Sequence, residues 1–354
     1  MNESMLAGVL HGAKDIRLEQ AGMPELREGM VLLRVRRVGI CGSDMHYYEH
    51  GYCAAFVPTR PFILGHELTA DVVAVATDVK APFVGTRVTV NPARNCGFCD
   101  YCKTGRINLC RATIMLGSAS TAPPTDGAFA EFVTVRADQC YALAPELADG
   151  IGAMLEPFTV ALHALQRAGS VSGKKVLVTG GGPIGLLTLI TARAFGAVPV
   201  ALSDVVGARR QTALSLGADA VLNPADPNLC EQVRELTGDG FDFIFEASGA
   251  PPALRQSFRL IRRGGTIVQI GTLGTADVPI PANQLMAQEI RFIGSFRYGN
   301  VYGEAVRLVT SGRVNLAPLV SEVYALRQLP AAMARAFAKD NVIKVQIDMD
   351  ASGE

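Results

Sequence analysis

The chain of 354 residues has no tryptophan, only five histidines and no net charge, because 33 lysines and arginines balance 33 aspartates and glutamates. A balanced charge gives the surface no overall field that would attract nucleic acid or an anionic membrane. We therefore expect no nucleic-acid partner and no membrane partner.

The chain also lacks an uninterrupted hydrophobic run of membrane-spanning length. Its most apolar stretch, residues 175–202, contains residues that a simple spanning helix would not carry: Gly180–Gly182, Pro183, Arg193 and Pro199. The opening residues MNESMLAGVLHGAKD lack the basic segment and apolar core of a secretory signal. These absences predict a soluble, cytoplasmic protein whose cysteines stay reduced.

Four of the eight cysteines are close together. Cys96, Cys99, Cys102 and Cys110 form the pattern C-x2-C-x2-C-x7-C, which can surround one tetrahedral Zn²⁺ at about 2.3 Å and leaves no open position for chemistry. Disulfides would need an oxidising compartment. An iron–sulfur cluster also uses C-x2-C-x2-C, but its fourth cysteine follows a different pattern and precedes a proline. The spacing therefore predicts a structural-zinc lobe over about residues 92–111.

The middle third predicts a nucleotide-binding unit. The run KVLVT at 175–179 is typical of a buried parallel strand, and GGGPIG directly after it supplies G-x-G-x-x-G. Gly180 would permit the tight turn, Gly182 the approach of a pyrophosphate, and Gly185 the packing of helix on strand. The pyrophosphate would then lie at the helix N-terminus.

Asp204 ends the next predicted strand, 19 residues after Gly185. A carboxylate there can bind the adenosine ribose hydroxyls and repel a 2′-phosphate, which favours NAD over NADP. Arg209 and Arg210 follow closely and can accept a phosphate, so NADP stays the second expectation. The alternation predicts further strands near 220–223, 241–247, 265–271 and 290–295, with helices at about 207–216, 228–237, 252–263 and 283–288. Six strands would complete a doubly wound sheet.

The first third is rich in short alternating strands, and two motifs with metal-binding residues interrupt them. Cys41 begins CGSDMH, and His66 and Glu67 follow Gly65. Cys41, His66 and one carboxylate would give three ligands and leave a position for water or substrate, which is typical of catalytic zinc. Taken singly, the thiol and the imidazole could be ordinary core residues. The neighbouring nucleotide unit and cysteine lobe favour the metal.

Six segments together resemble the zinc-dependent medium-chain dehydrogenases from about residue 5 to 347: GICGSDMHYYEHG, ILGHE, the four-cysteine loop, LEP…HAL, GGGPIG…SD and GSFRY. Within that family they are most similar to the polyol branch of sorbitol dehydrogenases and L-idonate 5-dehydrogenases. The complete four-cysteine loop favours the idonate type. The resemblance implies an α/β fold with a GroES-like β-rich catalytic domain over 1–156 and 296–354. A six-stranded Rossmann domain would occupy 157–295, and a final strand at 342–348 would complete the barrel.

The resemblance also implies roles for individual residues. Cys41, His66 and Glu67 would bind the catalytic zinc, and Glu156 would either bind it directly or hold its water. Asp44 would orient the histidine ligand. Ser43 and His46 match proton-relay positions. Substrate contacts are expected from Tyr47, Glu156, Arg297 and Tyr298, and cofactor contacts from Ile184, Arg209, Gly271, Thr272, Leu273, Ser295, Phe296 and Arg297.

The implied activity is NAD-dependent oxidation of a secondary alcohol, with L-idonate to 5-keto-D-gluconate expected first and sorbitol, xylitol or galactitol as alternatives. The alcohol proton would leave through a zinc-bound water assisted by Glu156, or along Ser43 toward His46. A zinc-free quinone reductase would lack Cys41, His66 and the cysteine loop, and a zinc-binding nucleic-acid module would need a basic face. Two zinc ions per chain are expected. A homotetramer is also expected, because subunits in this branch are usually tetramers.

Overall fold

A computed structural model describes residues 3–274, 276–338 and 342–351. The outer limits of the predicted domains, residues 1 and 354, lie outside that part. The first half has ten strands: β1 (Ser4–Gly12), β2 (Asp15–Gly22), β3 (Met30–Gly39), β4 (Phe62–Ile63), β5 (Glu67–Val75), β6 (Arg87–Val90), β7 (Ala93–Arg94), β8 (Ile114–Met115), β9 (Phe132–Arg136) and β10 (Cys140–Ala142). Its helices are α1 (Gly42–His50), α2 (Asp100–Lys103) and α3 (Asp149–Ala153).

The second half alternates helices and strands. In chain order they are α4 (Leu155–Ala168), β11 (Val176–Thr179), α5 (Pro183–Ala194), β12 (Val200–Ser203), α6 (Gly207–Ser215), β13 (Ala220–Leu222), α7 (Leu229–Thr237), β14 (Phe241–Glu246), α8 (Pro251–Leu260), β15 (Ile261–Gln269), α9 (Ala282–Ala287) and β16 (Arg291–Gly294). The chain then continues through α10 (Tyr302–Thr310), β17 (Val320–Ala325), α11 (Leu329–Ala336) and β18 (Lys344–Asp348).

Strands of the first half, together with β17 and β18 from the end of the chain, form a mainly antiparallel sheet in the order β10-β6-β5-β3-β18-β17, with β9 also paired to β3. Strands β1, β2 and β4 form a separate small sheet. The last strand, β18, lies antiparallel to β3, with Gln346 opposite Gly39. The end of the chain is therefore paired with the first sheet. It also carries Lys344 into the interior, where it is 3% exposed.

The second sheet is fully parallel, with the strand order β13-β12-β11-β14-β15-β16. This is the predicted six-stranded doubly wound fold, and both of its faces are covered. Val176 and Val178 pack into one hydrophobic cluster while Leu177 packs into the other. The period-two alternation explains why the strand reads as one apolar run.

Two predicted boundaries are wrong. Helix α8 ends at Leu260 instead of extending to about 263, and β15 begins at Ile261 instead of near 265. Ile261 is buried and pairs with Phe241 of the neighbouring strand, so tertiary pairing overrides the local helical pattern. Within the described residues, every helix is too short or too polar to cross a lipid bilayer.

Candidate active site

Three possible metal ligands meet where β3 ends and β5 begins. Cys41 is the N-cap residue of α1, and His66 and Glu67 lead into β5. One ligand atom from each of the three residues lies within 4.8 Å of the other two. Cys41 is half-buried and the other two are buried. A thiolate, an imidazole and a carboxylate at this spacing fit a zinc ion and leave a coordination position open.

Asp44 connects the two arms of this ligand set. Its buried carboxylate accepts hydrogen bonds from the backbone N–H groups of Cys41 (2.9 Å) and Gly65 (3.2 Å). It also lies 3.7 Å from Nδ1 of His66, which is buried and has no hydrogen-bond partner among the described residues. A metal on one ring nitrogen and Asp44 on the other would satisfy both sides of the imidazole.

Lys344 is a cationic partner for Glu67 that we did not predict. Its Nζ donates to Oε1 (2.8 Å) and Oε2 (2.7 Å) of Glu67 and to the carbonyl oxygen of Ile40 (3.0 Å). Burial alone would lower the pKa of Lys344, but the Glu67 carboxylate and the Cys41 thiolate raise it. The ammonium group stays charged and offsets the negative charge of the ligand set.

Glu156 lies beside these residues, in the first turn of α4. It is 5% exposed, and burial raises its pKa to about 7, while His66 lowers it and Glu67 raises it further. The buried hydroxyl of Tyr298 lies next to the same carboxyl group, and burial together with the Glu156 charge raises the pKa of that hydroxyl. A carboxyl group that titrates near neutrality is suited to exchange protons with a bound substrate.

Helix α1 presents the two predicted relay residues differently. Ser43 is half-buried, whereas His46 is exposed, with its ring 5.9 Å from that of His50. The helix therefore runs from the ligand set at Cys41 to solvent at His46. That direction is compatible with a proton path along one helix face.

Tyr47, on the same helix, has a different environment from the one expected. It is 2% exposed, and its hydroxyl accepts a hydrogen bond from the backbone N–H of Ala119 at 3.0 Å. The ring packs edge-on against Phe62. The enclosed hydroxyl holds the loop around 118–120, and the substrate contact expected of Tyr47 stays a prediction.

The four-cysteine lobe lies between β7 and β8, which pair with each other. Its four sulfur atoms all lie within 4.8 Å of one another, and those of Cys96 and Cys102 are 3.9 Å apart. A disulfide would require about 2.05 Å, whereas tetrahedral zinc with bonds of about 2.3 Å places sulfurs ~3.8 Å apart. All eight cysteines of the chain are free. The lobe therefore fits a closed four-thiolate metal site.

A hydrogen bond joins this lobe to the segment 295–299. Asn108, two residues before the last lobe cysteine, donates from Nδ2 to the carbonyl oxygen of Phe296 at 3.0 Å. The next residue, Arg297, has φ of 48°, a left-handed conformation that is unfavourable for a residue other than glycine. Its guanidinium carbon lies 5.1 Å from the centre of the Phe296 ring. The buried Tyr298 follows directly, so the lobe supports the segment that reaches Glu156.

The glycine-rich turn has the geometry that a dinucleotide requires. Gly180 has φ of 96°, and Gly182 is the N-cap of α5, with Pro183 in its first turn. A Cβ on Gly185 would lie 1.8 Å from the carbonyl oxygen of Gly180, so only glycine fits there. Nothing lies within 4 Å of a Cβ built on Gly182, which leaves space for a pyrophosphate at the helix N-terminus.

Asp204 follows β12 and is already part of this turn. Its Oδ2 accepts the backbone N–H of Gly181 at 2.6 Å, and its Oδ1 accepts that of Val206 at 2.7 Å. Nη1 of Arg209 lies 3.9 Å from Oδ2, and Nη1 of Arg210 donates to the Asp204 backbone carbonyl at 2.6 Å. One acid and two arginines therefore border the place where the adenosine ribose is expected.

The other expected cofactor residues lie in the first turn of α5 (Ile184) or directly after β15 and β16. Gly271 comes so close to the next loop that a Cβ on it would lie 2.2 Å from the backbone nitrogen of Gly249. Thr272 is exposed, and Ile184 and Leu273 are half-buried. The backbone N–H of Ser295 donates to the carbonyl oxygen of Gln269 (2.9 Å), while its hydroxyl is buried without a partner among the described residues.

Comparisons with known proteins agree with this geometry. Residues 27–145 match the family described as alcohol dehydrogenase GroES-like domain, and residues 183–311 match the family described as zinc-binding dehydrogenase. Sorbitol dehydrogenase of Bacillus subtilis (strain 168) is 35% identical over 347 residues, which cover 98% of this chain and 97% of that protein. The chain belongs to the zinc-dependent medium-chain dehydrogenases, with neighbours in the polyol branch.

Two solved structures are also similar over nearly the whole chain. L-idonate 5-dehydrogenase from Escherichia coli K-12 is 31% identical, with a TM-score of 0.92 and 98% of each chain covered. A protein from Sinorhizobium meliloti 1021 solved in complex with NADP is 32% identical, with a TM-score of 0.89, covering 98% of this chain and 100% of that one. The family is therefore one of enzymes that use zinc and NAD(P) to oxidise alcohols of the polyol and sugar type.

Proposed function

We propose that this chain oxidises a secondary alcohol of a sugar acid with NAD, with L-idonate to 5-keto-D-gluconate as the specific reaction. The supporting observation is the gathering of Cys41, His66 and Glu67 within 4.8 Å, with the acid Glu156 and the hydroxyl of Tyr298 next to them. An open metal position beside a proton acceptor and a tyrosine hydroxyl suits an alcohol substrate.

Zinc bound by Cys41, His66 and a carboxylate would lower the pKa of an alcohol oxygen and polarise a ketone in the reverse direction. Asp44 would hold the arms of the ligand set at their separation, because both backbone N–H groups on either side bind its carboxylate. Lys344 holds both oxygens of Glu67. It thereby leaves Glu156 as the less constrained carboxylate, free to bind the metal or to accept a proton.

The alcohol proton has two possible routes. Glu156, with its pKa raised to about 7 by burial, would accept it directly or through a water. The alternative passes from Ser43 to His46, which is exposed and can release the proton to solvent. Glu156→Gln would block the first route alone, and Ser43→Ala the second.

Substrate hydroxyls would contact the segment that reaches Glu156. Tyr298 offers a buried hydroxyl beside Glu156, and the guanidinium of Arg297 lies over the Phe296 ring with no carboxylate paired to it among the described residues. A free guanidinium can bind a substrate carboxylate with two parallel hydrogen bonds, which supports the sugar acid. It can also bind neutral hydroxyls, and the 35% identity to a sorbitol dehydrogenase over nearly the full chain favours a polyol as the second candidate.

The proposed cofactor is NAD, because Asp204 lies at the position where a carboxylate binds ribose hydroxyls. The hydrogen bond from the Gly181 N–H to that carboxylate, at the glycine-rich turn, supports this role. Asp204→Ser would remove the negative charge and leave Arg209 and Arg210. We expect that variant to gain activity with NADP relative to NAD, measured as the ratio of the two kcat/KM values.

A substrate panel tests the proposal directly. L-Idonate, D-gluconate, sorbitol, xylitol and galactitol are each offered with NAD and with NADP, and reduced cofactor is followed. We expect L-idonate with NAD to give the highest kcat/KM. A tenfold or greater preference for sorbitol or xylitol would replace the sugar acid by the polyol and retain the mechanism. No turnover of any secondary alcohol by the zinc-loaded enzyme would contradict the dehydrogenase assignment. Metal analysis and light scattering of the same sample test the proposed two zinc ions per chain and the tetramer.

A further inference from the structure

Glu246 is a fully buried carboxylate that the chemistry described above does not use. It is the last residue of β14, at the carboxyl edge of the parallel sheet. Its Oε1 accepts hydrogen bonds from the backbone N–H groups of Ser248 (2.9 Å) and Gly249 (3.1 Å) and from the Ser248 hydroxyl. Thr179 Oγ1 is 3.3 Å from the same oxygen, and Gln269 Nε2 donates to Oε2 at 2.5 Å.

These donors belong to three different segments. Thr179 ends β11 immediately before the Gly180 turn, Ser248 and Gly249 follow β14, and Gln269 ends β15. The backbone of Glu246 adds to the same network, because its carbonyl oxygen accepts the N–H groups of residues 270 and 271, each at 2.8 Å. One side chain is therefore shared by the ends of three neighbouring strands.

The same three segments are in close backbone contact with one another. A Cβ on Gly180 would lie 2.9 Å from Cα of Ser248, and one on Gly249 would lie 2.5 Å from the carbonyl oxygen of Thr272. Gly249 also has φ of 65°. In a doubly wound sheet, dinucleotides bind in the crevice at the carboxyl ends of the strands. The segments that Glu246 holds are therefore the floor of that crevice.

A carboxylate suits this place because every partner of its two oxygens is a donor. An ionised glutamate only accepts hydrogen bonds, whereas a glutamine amide would direct its own donors at N–H groups. A buried carboxylate is stable only when such donors surround it. The arrangement would be costly if its sole effect were to fill the interior, since an apolar side chain could do so.

We propose that Glu246 is a positioning residue for the dinucleotide, which sets the spacing between the Gly180 turn and the loops carrying Gly249 and Gly271. This inference rests on the dinucleotide site of the proposed function but not on the identity of the alcohol. Binding of NADH without any alcohol therefore tests it separately from the substrate assignment.

The chain offers a matched control on the same strand. Asp242 lies near the opposite end of β14. Its Oδ2 accepts a hydrogen bond from the backbone N–H of Lys175 at 2.8 Å, and its Oδ1 accepts one from Nε of Arg262 at 2.6 Å. Glu246→Gln and Asp242→Asn each replace one carboxylate oxygen by an amide nitrogen facing a backbone donor. Only the first change lies at the cofactor edge.

The experiment measures NADH affinity of the zinc-loaded enzyme by fluorescence titration. We expect Glu246→Gln to weaken NADH binding about tenfold, which is the change in affinity that the loss of one or two hydrogen bonds produces. Zinc content and the KM for the alcohol at saturating cofactor should stay within about twofold of the parent, and Asp242→Asn should bind NADH within about twofold. Unchanged NADH affinity in Glu246→Gln, or an equal loss in Asp242→Asn, would overturn the proposal.

Gln269→Met decides the question if Glu246→Gln does not fold. It removes the amide that donates both to Oε2 of Glu246 and to the carbonyl oxygen of Gly271 (2.7 Å), and it keeps the length of the side chain. A roughly threefold weaker NADH affinity supports positioning by the hydrogen-bond network around Glu246, since a loss of that size is less than one hydrogen bond contributes. An affinity equal to that of the parent contradicts it.

Discussion

The two candidate metal sites of this protein are built in opposite ways. The lobe takes four identical ligands from one short loop, all half-buried and near the surface. The site at Cys41, His66 and Glu67, hereafter the cleft, takes a thiolate, an imidazole and a carboxylate from separate elements. A second acid lies beside these ligands, and Lys344, 277 residues from Glu67, offsets their negative charge. A closed site can be specified by local spacing alone, whereas an open site needs the whole fold to hold unlike charges together.

The largest expected difference between the sites is in what their loss affects. Cys41→Ser should lower kcat by about a thousandfold or more, because metal stabilisation of the reacting oxygen is worth several kcal/mol, with little change in melting temperature. Cys96→Ser should lower the free energy of unfolding, since lobe folding depends on its metal, and leave kcat of the folded fraction nearly unchanged. Turnover assays, calorimetry and metal analysis check both variants. Equal losses of kcat would remove the distinction.

Lys344→Met tests the charge balance that only the cleft requires. In the metal-free protein it leaves the Glu67 carboxylate buried and unpaired, and we expect the free energy of unfolding of that form to fall by about 3–5 kcal/mol. Adding Glu67→Gln should restore part of that loss. The control Lys80→Met, at an exposed lysine, should change the free energy of unfolding by less than about 0.5 kcal/mol. Chemical denaturation measures all of these, and a small effect at Lys344 would mean that Glu67 is not charged in the fold.

Asn108→Ala tests whether the lobe supports the cleft. Loss of the hydrogen bond to the Phe296 carbonyl oxygen, worth about 1 kcal/mol, should free the left-handed Arg297 and raise the KM for the alcohol about fivefold. Metal content should not change. The exposed lobe residue Phe98, replaced by alanine, is the control within the same loop. Equal KM values for both variants would show that the lobe is independent of substrate binding.

Cysteines outside both sites provide the smallest and simplest test. Burial raises the pKa of Cys140 to about 12, so it stays an unreactive thiol at neutral pH. Cys230 is exposed. An alkylating reagent should modify Cys230 first in the zinc-loaded protein and should reach the lobe cysteines only after strong chelation. Mass spectrometry identifies the modified sites, and early modification of the lobe would contradict metal protection there.

The sequence predicted contiguous features better than distant ones. The glycine turn, Asp204 and the four cysteines are short-range patterns whose geometry follows from spacing, and each lies where a local argument puts it. The enclosure of the Tyr47 hydroxyl could not be predicted in the same way, because its partner, the backbone N–H of Ala119, lies 72 residues further along the chain.

Lys344 and Glu246 were missed because their partners lie far along the chain or on neighbouring strands. Weak signals for both exist in the sequence. Lys344 is a charged residue within the apolar strand VIKVQID, and Glu246 is an acid at the end of the buried run FDFIFE. A buried charge in a strand predicts a partner, but strand pairing decides which one.

The central claim is that only the mixed-ligand site meets the substrate. Replacing zinc by Co²⁺ gives each site its own visible spectrum, because four thiolates and one thiolate produce different charge-transfer bands. Addition of the alcohol with NADH bound should shift the bands of the one-thiolate site and leave those of the four-thiolate site unchanged. A shift confined to the four-thiolate bands, or bands of the one-thiolate site that ignore every alcohol tested, would contradict the account.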